Sequence, residues 1–96
     1  MSTTYVLSPM AEADLEQIWT YTAREWSTQQ AESYTNDIID AFEGIATGKK
    51  VGRPVSVREG YLKILVGRHV IFFQTRANVI AIIRILHQSM DVERHL

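Results

Sequence analysis

The sequence predicts an α+β domain, a two-helix hairpin packed on an antiparallel sheet in the order β-α-α-β-β-β. Three observations carry that prediction. Two adjacent segments place apolar residues at threes and fours, and each begins at a serine suited to cap a helix. Three β-prone runs then follow with turns of about two residues between them, which join antiparallel neighbours. The 96 residues form one domain, 1–96, with room for a single modest core.

Thr4-Tyr5-Val6-Leu7 reads as a short strand, cut off by Ser8-Pro9. Serine as N-cap with proline at the first helical position starts a helix, since the missing proline N–H would be unpaired there. That helix is expected from residue 9 to about residue 26, with Ala11, Leu15, Ile18, Trp19, Thr22 and Trp26 on its buried stripe. Ser27 with Gln30 three residues on has capping-box spacing and starts a second helix over residues 28 to 47. Its stripe is Ala31, Tyr34, Ile38, Phe42 and Ile45, and Gly48 ends it. The loop to Pro54 carries Lys49, Lys50 and Arg53.

The three strands are Tyr61-Leu62-Lys63-Ile64-Leu65-Val66, His69-Val70-Ile71-Phe72-Phe73-Gln74-Thr75 and Val79-Ile80-Ala81-Ile82-Ile83-Arg84-Ile85-Leu86, with turns at Gly67-Arg68 and near Ala77-Asn78. A strict period of two puts Ile80, Ile82, Arg84 and Leu86 on one face of the last strand. The hairpin covers one face of the sheet, so the face with Ile80, Ile82 and Leu86 is expected to lack cover and to mark a partner site. The polar tail is expected to form a turn of helix capped by Asp91, with Val92 and Leu96 on one side, and to carry little of the core.

Composition excludes several functions. A net charge of −1 from 10 basic and 11 acidic side chains disfavours binding dominated by phosphate contacts. With no cysteine there is no disulfide and no thiolate nucleophile, which suits a reducing cytoplasm. No apolar run approaches a membrane span, and no secretory signal pattern opens the chain. His69, His87 and His95 lack metal-ligand spacing, and no cofactor motif is present. Ser8 and Ser27 are read as caps, Trp19 and Trp26 as core or core-edge residues before contact residues. Arg84 and His87 could serve phosphodiester cleavage as cation and acid or base, with Lys49, Lys50 and Arg53 on the phosphate. The plainer reading pairs Arg84 with a carboxylate and leaves His87 a polar residue at the strand end.

Tyr5-Val6-Leu7-Ser8-Pro9 with Ala11, Asp14, Leu15 and Ile18, then Trp19, Tyr21 and Trp26, resembles ParE-type toxins of the RelE/ParE superfamily. So do Gly60-Tyr61-Leu62-Lys63-Ile64, His69-Val70-Ile71-Phe72-Phe73 and the ending Arg84-Ile85-Leu86-His87-Gln88-Ser89-Met90-Asp91. The resemblance implies a bacterial toxin of a type II toxin–antitoxin pair that traps DNA gyrase on cleaved DNA, performs no chemistry and is neutralised by a ParD-like antitoxin. RelE-type relatives share the fold and cleave mRNA on the ribosome; the lack of a basic cluster on these strands favours the ParE branch. The antitoxin is expected on Ile80, Ile82, Arg84, Leu86, Arg58 and Lys63. Contact with the target is expected at His87, Met90, Asp91, Glu93, Arg94 and His95.

Overall fold

The computed structural model describes residues 4–96 and lays two helices over one face of a five-stranded sheet. Strand β1 (Thr4–Leu7) gives way at once to α1 (Pro9–Glu25). Ser8 holds extended backbone and its Oγ accepts from the Ala11 N–H, while Pro9 occupies the first turn. Ser27 repeats the device for α2 (Thr28–Thr47), accepting from the Gln30 N–H. Gly48, at φ 82°, ends α2 in the left-handed conformation that costs glycine least.

β2 (Arg53–Pro54), β3 (Leu62–Val66), β4 (His69–Arg76) and β5 (Val79–His87) follow, then a short α3 (Val92–His95). β3, β4 and β5 form the expected meander. Spatial order is β1-β5-β4-β3-β2, so the sheet is wider than expected and mixed. β1 pairs in parallel with β5, Thr4 opposite Val79 and Leu7 opposite Ile82. The helical hairpin between them is the long excursion that parallel pairing requires. Arg53–Pro54, expected in a loop, forms a two-residue edge strand against β3.

β5 departs from a strict period of two. Phe72 lies opposite Arg84 but Phe73 lies opposite Ile82, so Ile83 has no partner on β4. This bulge inverts the facing on either side of it. Ile80, Ile82 and Ile85 all join Ile71, Phe73, Ile38 and Phe42 in the core beneath the helices, while Phe72 and Leu86 face the other way. Ile80 is 5% exposed and Ile82 0%, so the expectation that they line an open face is corrected. Leu86 does face away from the hairpin, yet it is buried as well. Val55, Phe72 and Leu86 form a second small core, on which Tyr61, Val70, Val92 and Leu96 pack. The tail therefore carries more of the packing than expected. Trp26, expected on the α1 stripe, is exposed at the helix end.

With Ile82 fully enclosed, Ile82→Asp is expected to cost the fold on the order of 4 kcal/mol or more, because a carboxylate there has no partner. A urea midpoint equal to that of the unaltered chain would return Ile82 to the surface.

Candidate functional site

β1 stops at Leu7, so from Ile83 onward β5 has an edge without a strand. The N-terminal end of α1 supplies the missing partners. The Ser8 N–H donates to the Ile82 carbonyl (2.9 Å), Ser8 Oγ donates to the Ile83 carbonyl (2.7 Å), and Asp14 Oδ2 accepts from the Ile85 N–H (2.9 Å). The same carboxylate takes Arg84 in a two-point grip, Nε to Oδ2 at 2.8 Å and Nη2 to Oδ1 at 2.9 Å. Nη1 donates to the His95 carbonyl at 2.9 Å, tying in the tail. Both side chains are 12% exposed, so the pair is shielded from screening. The bond to Asp14 raises the Arg84 pKa further, against the opposing effect of burial. All three guanidinium nitrogens are thus engaged.

Past this clamp an open cavity of about 550 Å³ lies between the end of α1, the start of α2 and the β3–β4 turn. Tyr21, Trp26, Gln30, Tyr34, Arg68, His69 and His87 are among its lining. A depression of about 490 Å³ adjoins it, sharing Tyr21, Thr22, His69 and His87 and reaching Arg84, Met90 and His95. Tyr34 Oη organises the floor, 2.6 Å from His69 Nδ1, 3.2 Å from the Val66 carbonyl and accepting from the Arg68 N–H at 3.1 Å. Gly67 (φ 58°) lets the turn come down on Tyr34, since a Cβ there would lie 2.6 Å from the ring. His69 and His87 meet edge to face with centroids 5.3 Å apart. Burial first, then the neighbouring His87, push His69 down to about 4, so its ring is neutral at pH 7.

The residues singled out in the sequence fall in three places. Arg84, His87, Met90 and His95 border the depression. Asp91 caps α3, accepting from the Glu93 N–H at 3.0 Å, and Glu93 and Arg94 point to solvent. Arg58 donates to the Leu96 carbonyl and lies 5.3 Å over the Tyr61 ring, so it holds the tail down. Lys63 lies in a separate groove with Val51, Arg53, Leu65, Val70 and Gln88. Lys49 and Lys50 line none of these hollows. Among the described residues no group of His, Asp and Glu could hold a metal ion. The sequence does not group the cavity residues Tyr21, Tyr34, Arg68 and His69 as a site: Tyr34 falls on the α2 stripe, Arg68 in a turn, His69 among histidines without ligand spacing, and Tyr21, an aromatic off the α1 stripe, enters only through the family resemblance.

A profile described as "ParE toxin of type II toxin-antitoxin system, parDE" matches residues 5–92. The chain is 41% identical to Toxin ParE1 of Mycobacterium tuberculosis over 98 residues, covering all of both chains. It is 41% identical to Toxin ParE1 of Caulobacter vibrioides over 93 residues, 96% of each. It is 32% identical to Toxin ParE of Escherichia coli over 96 residues, 98% of this chain and 93% of that one. The fold matches that of a chain in the chromosomal ParDE system from P. aeruginosa, with TM-score 0.78 and 21% identity over 91% of this chain and 96% of that one. A chain in the toxin–antitoxin complex RelBE2 from Mycobacterium tuberculosis matches with TM-score 0.65 and 15% identity, over 91% and 99%.

Asp14→Ala strands the Arg84 guanidinium and the Ile85 N–H together, and is expected to cost roughly 2–4 kcal/mol by denaturant titration. A double-mutant cycle with Arg84→Ala that shows no coupling would contradict the clamp. The His69 shift has a sign that can be tested. The unfolded ring takes up its proton near pH 6.5 and the folded ring only near 4, so protons favour the unfolded chain in that window. Stability is expected to fall as pH drops from about 6.5 towards 4, by roughly 1–2 kcal/mol once partial exposure is allowed for. The loss should shrink in His69→Asn; equal pH profiles for the two chains would remove His69 as the cause.

Proposed function

The chain belongs to the ParE toxin family of type II toxin–antitoxin systems, and from that premise we propose that it poisons bacterial DNA gyrase and is held inactive by a ParD-like antitoxin. The action is binding without chemistry: the protein stabilises one state of gyrase on cleaved DNA by fitting it better than the others. The observation that supports this over ribosome-dependent RNA cleavage is the engagement of Arg84. The strand cation that would attend a phosphate is held at all three nitrogens by Asp14 and the His95 carbonyl. His69, which lines the same depression, is neutral and bonded to Tyr34. A cleaving site needs a free cation beside an acid–base pair. Action on gyrase places the protein in the bacterial cytoplasm.

The antitoxin fits the part of the open sheet face that the tail leaves bare. β2 pairs only with Leu62 and Lys63, so the rest of β3 offers an unpaired edge for an added strand. Beside it Val51 and Leu65 are exposed, with Arg53 and Lys63 in the same groove. An extended segment carrying apolar and acidic residues matches this strip. Leu86 lies beneath the tail, within reach only if the tail shifts, whereas Arg58 is exposed at the tail's end, bonded to the Leu96 carbonyl.

Purified protein with gyrase, plasmid and ATP, run beside translating ribosomes with mRNA, tests the reading. The expected result is linear plasmid that reseals under religation conditions, abolished by antitoxin, with Leu65→Asp needing at least about tenfold more antitoxin. Site-specific mRNA cuts that disappear in His87→Ala, with no effect on gyrase, would reverse the assignment.

A further inference from the structure

We propose that Tyr21, Trp26 and Arg68, around the cavity at the end of the helical hairpin, form the surface that grips the protein target, and that the target presents there an apolar side chain flanked by a carboxylate. The proposal rests on the reading of this chain as a toxin that acts by binding, and shifts the centre of contact from the tail to the hairpin.

Trp26 is 76% exposed and Tyr21 61%, and the two rim one opening. A small domain gains nothing for its own stability by leaving two large aromatics in water. Neither is loose. Trp26 is the C-cap of α1, its N–H donating to the Thr22 carbonyl at 2.9 Å, and Tyr21 stands on the last full turn of that helix. Beneath them Tyr34 pins the β3–β4 turn and His69, so the cavity floor is set before any partner arrives. Met90, partly exposed in the adjoining depression, extends the apolar surface to the root of the tail. Tryptophan, tyrosine and arginine are the types that carry most binding energy in protein interfaces.

Charge selects the partner. Arg68 is the one formally charged residue lining the cavity. Among the described residues the only ion pair is Asp14–Arg84, so the Arg68 guanidinium meets no carboxylate among them. A carboxylate on the partner would complete it. A nucleic acid could also stack on Trp26 and Tyr21, but it needs several cations along its backbone. This cavity has one, on a chain of net charge −1. A protein partner is the reading that charge favours.

The test expresses the full chain from an inducible promoter and follows growth arrest, with the purified chain assayed on gyrase and for antitoxin binding. Trp26→Ala, Tyr21→Ala and Arg68→Glu should each need at least about tenfold more protein to arrest growth or trap gyrase, with unchanged circular dichroism and antitoxin affinity within about threefold. Arg68 lies on a solvent-facing turn, so Arg68→Glu decides the matter if Trp26→Ala misfolds. Variants that arrest growth as well as the parent chain would overturn the proposal and leave the toxin reading standing. Loss of antitoxin binding in step with toxicity would assign the patch to the antitoxin and overturn it. So would a dimer of the parent chain that Trp26→Ala dissolves, or binding of a single-stranded oligonucleotide that Trp26→Ala abolishes. Growth arrest without any effect on gyrase, still lost in the variants, would change the target and keep the surface. A parent chain that arrests nothing would remove both readings.

Discussion

The two-point bond between Asp14 and Arg84 is the constraint on which the arrangement of the chain depends. It joins the first helix to β5 and, through the His95 carbonyl, to the tail. The bond exists because β5 bulges at Ile83 and because β1 stops at Leu7, leaving backbone groups of β5 without a strand beside them. One carboxylate answers both the Ile85 N–H and the guanidinium. Taking a charge out of water is costly unless its partners are complete, and here they are. Among the described residues no buried side-chain polar atom lacks a hydrogen bond.

That clamp also divides the molecule into structural and accessible parts. On one face the hairpin seals a core built on Ile38, Phe42, Ile71, Phe73 and Ile82. On the other, a smaller core around Phe72 and Leu86 is closed by Val92 and Leu96. Arg84 and Arg58 hold the last two residues of the tail, His95 and Leu96, so the tail is a packed cover rather than a loose appendage. Among the hollows left open are the aromatic cavity at the end of the hairpin and the strip beside β3. Of the strand arginines Arg53, Arg76 and Arg84, the one on the same strand as His87 is engaged by Asp14 and the His95 carbonyl.

Most of the fold was legible in the sequence because it depends on local rules. The serine caps, the proline at the start of α1, Gly48 at the end of α2, the turns of the meander and Asp91 before α3 each need only a few neighbouring residues to act. The Asp14–Arg84 pair was legible in half: an arginine alone among aliphatics needs a carboxylate, but nothing along the chain says which one.

What only the tertiary structure decided was the facing of β5, the parallel docking of β1 and the exposure of Trp26. A period of two predicts facing only while a strand stays in register, and the one-residue slip at Ile83 carries Ile80 and Ile82 into the core and leaves Leu86 opposite them. Tyr34 meets Arg68 and His69 across more than thirty residues, so no local pattern could announce the cavity they build. Sequence determines the elements because capping, turns and periodicity act over a few residues; which side chains end up facing water is settled by how those elements close on one another.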